Sequence, residues 1–229
     1  HKELMITNLQ EAYVIHAKAY KETSILVTFF TKNDGKVSAI AKGAKRPKSK
    51  FSGTLEPFQK ITIDYSGRTS LKTLKSSECI EPFKEFCTRK NLYSAFYVNE
   101  LINCMVKSNE DPIEIFNLYE QCILQLYDDS DTNKVLRNFE FNMMKVLGYE
   151  INFQSDYRSG DPLDANSFYT YAPQMGFTIS DSGYGGEQLI EIREKKFSKE
   201  NLELAKQIIK QTLDFYFEEL NINSRSFFR

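Results

Sequence analysis

Between Lys42 and Lys50 the chain reads Lys-Gly-Ala-Lys-Arg-Pro-Lys-Ser-Lys, five cations in nine residues with no acid among them. Groups of this kind hold polyanions: ammonium heads on flexible stems reach phosphates as point charges, and each contact releases condensed counterions. Gly43, Pro47 and Gly53 keep the segment out of a helix, so the cations are expected on a loop. Lys60, Arg68, Lys72 and Lys75 follow, and Tyr20, Phe51, Phe58 and Tyr65 interleave with them. Single-strand binders pair such a positive groove with rings on which bases stack. Phe51, between Lys50 and Ser52, is the stacking candidate, whereas Tyr65 shares a strand face with Ile61 and Ile63 and is expected in the core. The nucleic-acid-contacting set is therefore Lys42, Lys45, Arg46, Lys48, Lys50, Phe51, Arg68 and Lys72. A solvated basic loop without a ligand is the plainer alternative.

Residues for catalysis are scarce. The only histidines are His1 and His16, which excludes paired-histidine metal spacing and leaves a histidine-based triad one residue. His16 reads as a strand-surface or interface residue. The run Asp128-Asp129-Ser130-Asp131 could hold a divalent cation, but at a junction between helices such residues cap and turn. Ser182-Gly-Tyr-Gly-Gly-Glu-Gln-Leu189 lacks the lysine of a phosphate loop and reads as a turn before a helix. No enzyme, metal or cofactor is expected. The cysteines Cys79, Cys87, Cys104 and Cys122 form no C-x-x-C pair and read as buried free thiols in a reducing cytosol.

The charge is unevenly spread. Residues 1–75 carry 14 Lys and Arg against 6 Asp and Glu, while the whole chain has a formal net charge of −1. The first portion thus faces a polyanion and the remainder does other work. At 41% hydrophobic and 27% charged residues the composition is that of a globular protein. With no apolar run of about 18 residues, no membrane-spanning helix is expected.

The elements that must carry these residues fall into two kinds. Through residue 78 the chain shows period-two patterning: Tyr13, Ile15, Ala17 against Val14, His16, Lys18; then Thr23–Phe30, apolar on both faces; then Val37, Ala39, Ala41 against Lys36, Ser38, Lys42; then Ile61, Ile63, Tyr65 inward; then Leu71–Glu78. Five strands of this length suit a small barrel, of which the OB-fold is the best-known case. After Pro82 the period becomes helical. Ala95, Val98, Leu101, Ile102 and Met105 form one stripe. Asp111-Pro112-Ile113-Glu114 opens a second helix, with Ile115, Leu118, Tyr119, Cys122 and Leu126 inward. A third runs from Asn133 to Leu147 with Leu136, Phe139, Met143 and Leu147 inward, ended by Gly148. Residues 149–185 are irregular, with a hairpin near Tyr169 and Phe177. A short helix near 187–194 and a longer one from Ser198 to Leu220 follow. The fold class is α+β: a five-stranded OB-fold barrel over 1–80, then a mainly helical domain over 81–229.

The ordered series Glu11–Phe58, Leu71–Glu78, Tyr93–Ile102 and Leu136–Phe153, with the closing Asn223–Arg229, resembles the bacterial RecO family over nearly the whole chain. The resemblance implies a cytoplasmic, nucleoid-associated, non-enzymatic recombination mediator in DNA repair. Such a protein binds single- and double-stranded DNA, anneals complementary strands, and with RecR helps RecA displace single-strand-binding protein. An adaptor that binds proteins and touches nucleic acid only incidentally is the alternative. Many family members carry a C-x-x-C…C-x-x-C zinc ribbon after the third helix; residues 149–185 hold no cysteine, so no zinc is expected. The family's helical domain also docks the acidic, Phe-ended tail of single-strand-binding protein. Arg137 is the candidate for the tail's carboxylate, with Phe141, Met144 and Leu147 as pocket walls. Arg137 paired with Glu140 on a solvated face is the competing reading, and Leu147 also fits the core stripe.

Overall fold

The computed structural model describes residues 9–82, 84–107, 112–128 and 130–217. The expected cap at Asp111, Asp129 of the acidic run, Leu220 at the end of the last helix and the closing Asn223–Arg229 lie outside them. Five strands come first: β1 (Gln10–Tyr20), β2 (Ser24–Thr31), β3 (Gly35–Ala41), β4 (Lys60–Ser66) and β5 (Leu71–Glu81). They close into an OB-like barrel in the order β1-β2-β3-β5-β4, with β3 and β5 the parallel pair. The alternating apolar positions explain the closure. Val27, Phe29, Ala39, Ala41, Ile61, Ile63 and Leu74 project inward and meet Ala12 and Val14. Fully burying a Val, Ile, Leu or Phe here is worth about 1.5–3 kcal/mol each.

The second apolar face of β2 has its own cause. Helices α1 (Arg89–Met105) and α2 (Pro112–Tyr127) pack on the outside of the barrel. Phe30 leaves the interior to meet Phe116 and Tyr119, with ring centroids 5.6 and 6.0 Å away. Tyr13, the cross-strand partner of Phe30, joins them, 5.1 Å from Tyr119. Polar groups close the same contact. Lys60 Nζ lies 2.7 Å from Glu120 and 3.2 Å from Glu11, and Tyr13 donates its hydroxyl to Glu120 at 3.0 Å. Burial alone would lower the Lys60 pKa, but the two carboxylates hold it above its ordinary value. Strands give way to helices at Pro82, yet compactness divides the chain later: α1 and α2 belong to the barrel's unit.

The second unit contains α3 (Thr132–Val146), β6 (Phe168–Ala172), β7 (Gly176–Ser180), β8 (Tyr184–Gly185), α4 (Gly186–Arg193) and α5 (Lys199–Tyr216). Asp131 caps α3 by accepting from the backbone N–H groups of Asn133 and Lys134, the capping role expected of the acidic run. At the other end Gly148, φ +81°, donates to the Lys145 carbonyl and Tyr149 donates to that of Met144. This is a Schellman closure, which needs the left-handed residue glycine supplies. The three-stranded sheet has the order β7-β6-β8. Its Phe177 is buried against Phe153 and Tyr171, at 5.1 and 4.8 Å.

Candidate nucleic-acid interface

The β3–β4 connection that carries the five cations is a chain of tight turns. Arg46 N–H donates to the Gly43 carbonyl, Ser49 to Arg46, Ser52 to Ser49 and Thr54 to Phe51. Two anchors fix its position. Phe51 and Leu55 insert into the barrel core, 3% and 9% exposed. Polar ties hold the rest: Lys45 N–H donates to the Thr23 carbonyl at 2.9 Å, and Lys50 Nζ to the Lys75 carbonyl at 2.6 Å. The loop is thereby held beside the β1–β2 turn and β5. Lys42, Lys45, Arg46, Lys48 and Lys50 are all exposed. Among the described residues none of the five forms an ion pair with a carboxylate.

Next to this loop lies the outer face of β1, β2, β3 and β5. Strand register places Lys18, Leu26, Ile40 and Thr73 in one row across it. The neighbouring row is His16, Thr28, Ser38 and Leu71. Lys18, His16 and Ser38 are exposed, and Leu26, Ile40, Thr28 and Thr73 half-buried. Lys75 is exposed, two residues past Thr73 on the loop's side. Arg68, exposed on the β4–β5 turn, lies toward the opposite end of the strands, because Leu71 pairs with Ser38 halfway along β3. Lys72, half-buried, turns its Nζ back to the Gly67 carbonyl at 3.0 Å. The expected set is thus a loop cluster at one end of the face and Arg68 toward the other, while Lys72 pairs with the buried Ala39 and shares that residue's side of the sheet, not the outer face.

Phe51 requires a correction. At 3% exposure it cannot offer a ring to a base. It sits between polar neighbours in sequence because successive tight turns impose no fixed facing, and here the side chain points inward. Phe58 is buried as well, 2% exposed, against Phe86 and Phe96. Tyr65 is half-buried against the core, as its strand face implies, with its hydroxyl on Asp34. Burial and then the Asp34 carboxylate push its pKa up. Lys60 is spent on Glu11 and Glu120. Lys18 and Lys75 join the face although neither stands in the expected set. Lys18 faces outward because the register shift between Val14 and His16 breaks β1's alternation; strict alternation from the buried Val14 would have turned it inward.

A family model described as Recombination protein O N terminal matches residues 5–83, and one described as Recombination protein O C terminal matches residues 88–226. The chain belongs to the RecO family. It is 34% identical over 231 residues to the DNA repair protein RecO of Actinobacillus pleuropneumoniae serotype 7 (strain AP76), covering 98% of this chain and 96% of that protein. It is 36% identical over 222 residues to the protein of the same name from Pseudoalteromonas atlantica, covering 95% and 92%. With that from Haemophilus influenzae (strain ATCC 51907 / DSM 11121 / KW20 / Rd) the figure is 32% over 232 residues, covering 98% and 97%.

In the second unit this chain departs from two expectations. Arg137 is 7% exposed and clasps Glu140, itself 1% exposed: Nη2 donates to Oε1 at 2.8 Å, and Nε stands 2.6 Å from Oε2. An arginine so engaged cannot receive a peptide carboxylate, and the pair is buried rather than solvated. Met144, 1% exposed, is core and no pocket wall. Leu147 is half-buried at the end of α3. Phe141 does line an open cavity of ≈ 500 Å³, together with Lys145, Ile151, Phe153, Arg193 and Lys195. Lys145 and Arg193 each have one acidic neighbour, Glu150 at 3.4 Å and Glu194 at 3.6 Å; Lys195 forms no ion pair among the described residues. No periodicity joins these positions, which is why the sequence did not reveal them.

Residues 149–185 hold neither cysteine nor histidine, so this copy lacks the donors a zinc ribbon requires. A carboxylate organises the segment. Asp156, 5% exposed, accepts from the backbone N–H groups of Arg158, Ser159 and Ile179 and from the Thr178 hydroxyl. Burial alone would raise its pKa, but these donors hold it below the ordinary carboxylate value. The cysteines also need correction: none of the four forms a disulfide, but Cys79, Cys87 and Cys104 are exposed and only Cys122 is buried. Cys79 and Cys104 fall outside the apolar stripes of β5 and α1, and Cys87 lies between those two elements. Among the described residues no cluster of His, Cys, Asp and Glu could hold a metal ion, and no helix is long and apolar enough to cross a membrane.

Proposed function

We propose that this RecO-family chain is a non-enzymatic DNA repair protein that binds single- and double-stranded DNA and anneals complementary strands. With RecR it helps load RecA onto DNA coated by single-strand-binding protein. The observation that carries the DNA-binding reading is the anchored turn-chain presenting five exposed cations beside an open sheet face. Among the described residues no carboxylate competes for these charges, although the Lys50 ammonium also holds the Lys75 carbonyl, so most of their attraction goes to the ligand. Annealing asks one surface to screen two backbones that repel each other, and a dense cation cluster suits that task. The acidic tail of single-strand-binding protein docks at the Phe141 cavity, where Lys145, Arg193 and Lys195 supply positive charge and Phe153 and Ile151 apolar wall.

Salt-dependent binding tests the reading. Replacing Lys42, Lys45, Arg46, Lys48 and Lys50 by Ala should flatten the slope of log K against log salt for a single strand by about 3.5, at ~0.7 per phosphate contact. An unchanged slope removes the loop from the mechanism.

A further inference from the structure

We infer that this face grips nucleic acid through its phosphates alone, leaving the bases unstacked on protein and their pairing edges free. The inference rests on the DNA-binding reading and specifies what that site recognises: the sugar–phosphate chain, whatever bases it carries.

The distribution of rings carries it. Single-strand binders commonly hold successive bases on aromatic side chains, and this unit is rich in rings that are committed elsewhere. Phe29 and Phe30 are fully buried, Phe51 plugs the barrel and Phe58 is 2% exposed. Tyr65 is packed on the core with its hydroxyl on Asp34. The middle of the face offers Leu26, Thr28, Ser38 and Ile40, none of which has a π surface. Among the described residues two rings remain at its β1 margin, His16 and Tyr20. They stand four residues apart on one strand, roughly 13 Å at ~3.3 Å per residue, too far to serve neighbouring bases as a platform. The Lys21 ammonium also covers the Tyr20 ring, 5.4 Å from its centroid. Cations are therefore plentiful and stacking surfaces scarce. Annealing follows naturally from that imbalance, because a strand held by its backbone presents its bases to an incoming complement.

Fluorescence anisotropy with two labelled 25-nucleotide strands, one of thymidine and one of abasic sugar units, tests this on the full chain across a salt series. The strands carry the same phosphates, so dissociation constants within about threefold and equal salt slopes are expected. Loss of even one stacked base would weaken the abasic complex about 5- to 150-fold, and a difference of that size overturns the inference while leaving DNA binding intact. If neither strand binds in a salt-sensitive manner, the DNA-binding reading itself fails. The His16→Ala/Tyr20→Ala double variant should bind thymidine within threefold of the parent; a tenfold loss would identify those rings as a stacking site and overturn the inference. The five-alanine loop variant should weaken both strands in parallel, and unchanged binding of both would place the DNA site elsewhere.

Discussion

Phe51 distinguishes an anchor from a base-stacking platform, and two substitutions read the difference. The side chain is 3% exposed within a core cluster that includes Val27, Phe29, Ile61 and Leu74. Cutting a buried Phe to Ala costs about 3–5 kcal/mol, from lost transfer energy and the cavity left behind. With roughly 2–8 °C per kcal/mol across domain sizes, the melting temperature of the barrel unit should fall on the order of 10 °C. Phe51→Leu keeps most of the volume and should cost no more than about 1.5 kcal/mol. Urea melts followed by circular dichroism give the stabilities; anisotropy well below the transition gives DNA affinity. An anchor predicts a destabilised Phe51→Ala, and a Phe51→Leu that binds DNA like the parent because the cations remain in place. A platform predicts the reverse: both variants lose about 1–3 kcal/mol of binding with the melt unchanged. That second pattern would refute the placement of this ring.

Arg137→Ala strands the buried Glu140 carboxylate and should cost about 3–5 kcal/mol by urea melt, most of it recovered in Arg137→Met/Glu140→Leu. Affinity for an acidic Phe-ended peptide should instead drop with Lys195→Ala, measured by calorimetry. Asp156→Ala removes the acceptor of three backbone donors and should destabilise the second unit by about 1–3 kcal/mol. Because the Asp156 pKa is depressed in the fold, its stabilisation is present above the unfolded-state value near ~4 and is lost as pH falls through the folded one. Acid melts of the parent should therefore show a loss of stability in that range that Asp156→Asn lacks. Alkylation of the native protein should label Cys79 and Cys87 readily and Cys122 only on unfolding; Cys104 is slower than the first two, since burial and then Glu100 push its thiol pKa up.

Much of the fold was legible because strand and helix periods dictate which residues must be hidden. The inward positions of β3 and β4, the Ala95–Met105 stripe and the Gly148 terminator all follow from such patterns. Thr23–Phe30 carried a further message. A strand apolar on both faces needs cover on both, and Phe30 finds it on α2 at Phe116, which is why α1 and α2 share the barrel's unit. Phe51 could not be placed the same way: tight turns have no period, so polar neighbours say nothing about where one side chain points. Arg137 failed for a different reason. An i, i+3 Arg–Glu pair looks like a solvated helix face in sequence, and only the packing of α3 shows that its partner is 1% exposed.

The anchors and the charge cluster explain each other. Five like charges in nine residues repel, and a free loop would relieve the repulsion by spreading into solvent. Here Phe51 and Leu55 pin the segment to the barrel, Thr23 and Lys75 hold it from either side, and turns fix its path, so the repulsion is retained in the folded state. Retained repulsion is attraction for an anion: each phosphate that arrives relieves several unfavourable contacts as well as making its own. Salt should accordingly act with opposite signs on the two properties, screening the loop's self-repulsion and so favouring the fold while weakening its hold on DNA. Burying an aromatic ring in the most cationic stretch of the chain therefore serves binding indirectly, by keeping the ammonium groups close enough together to need a counter-charge.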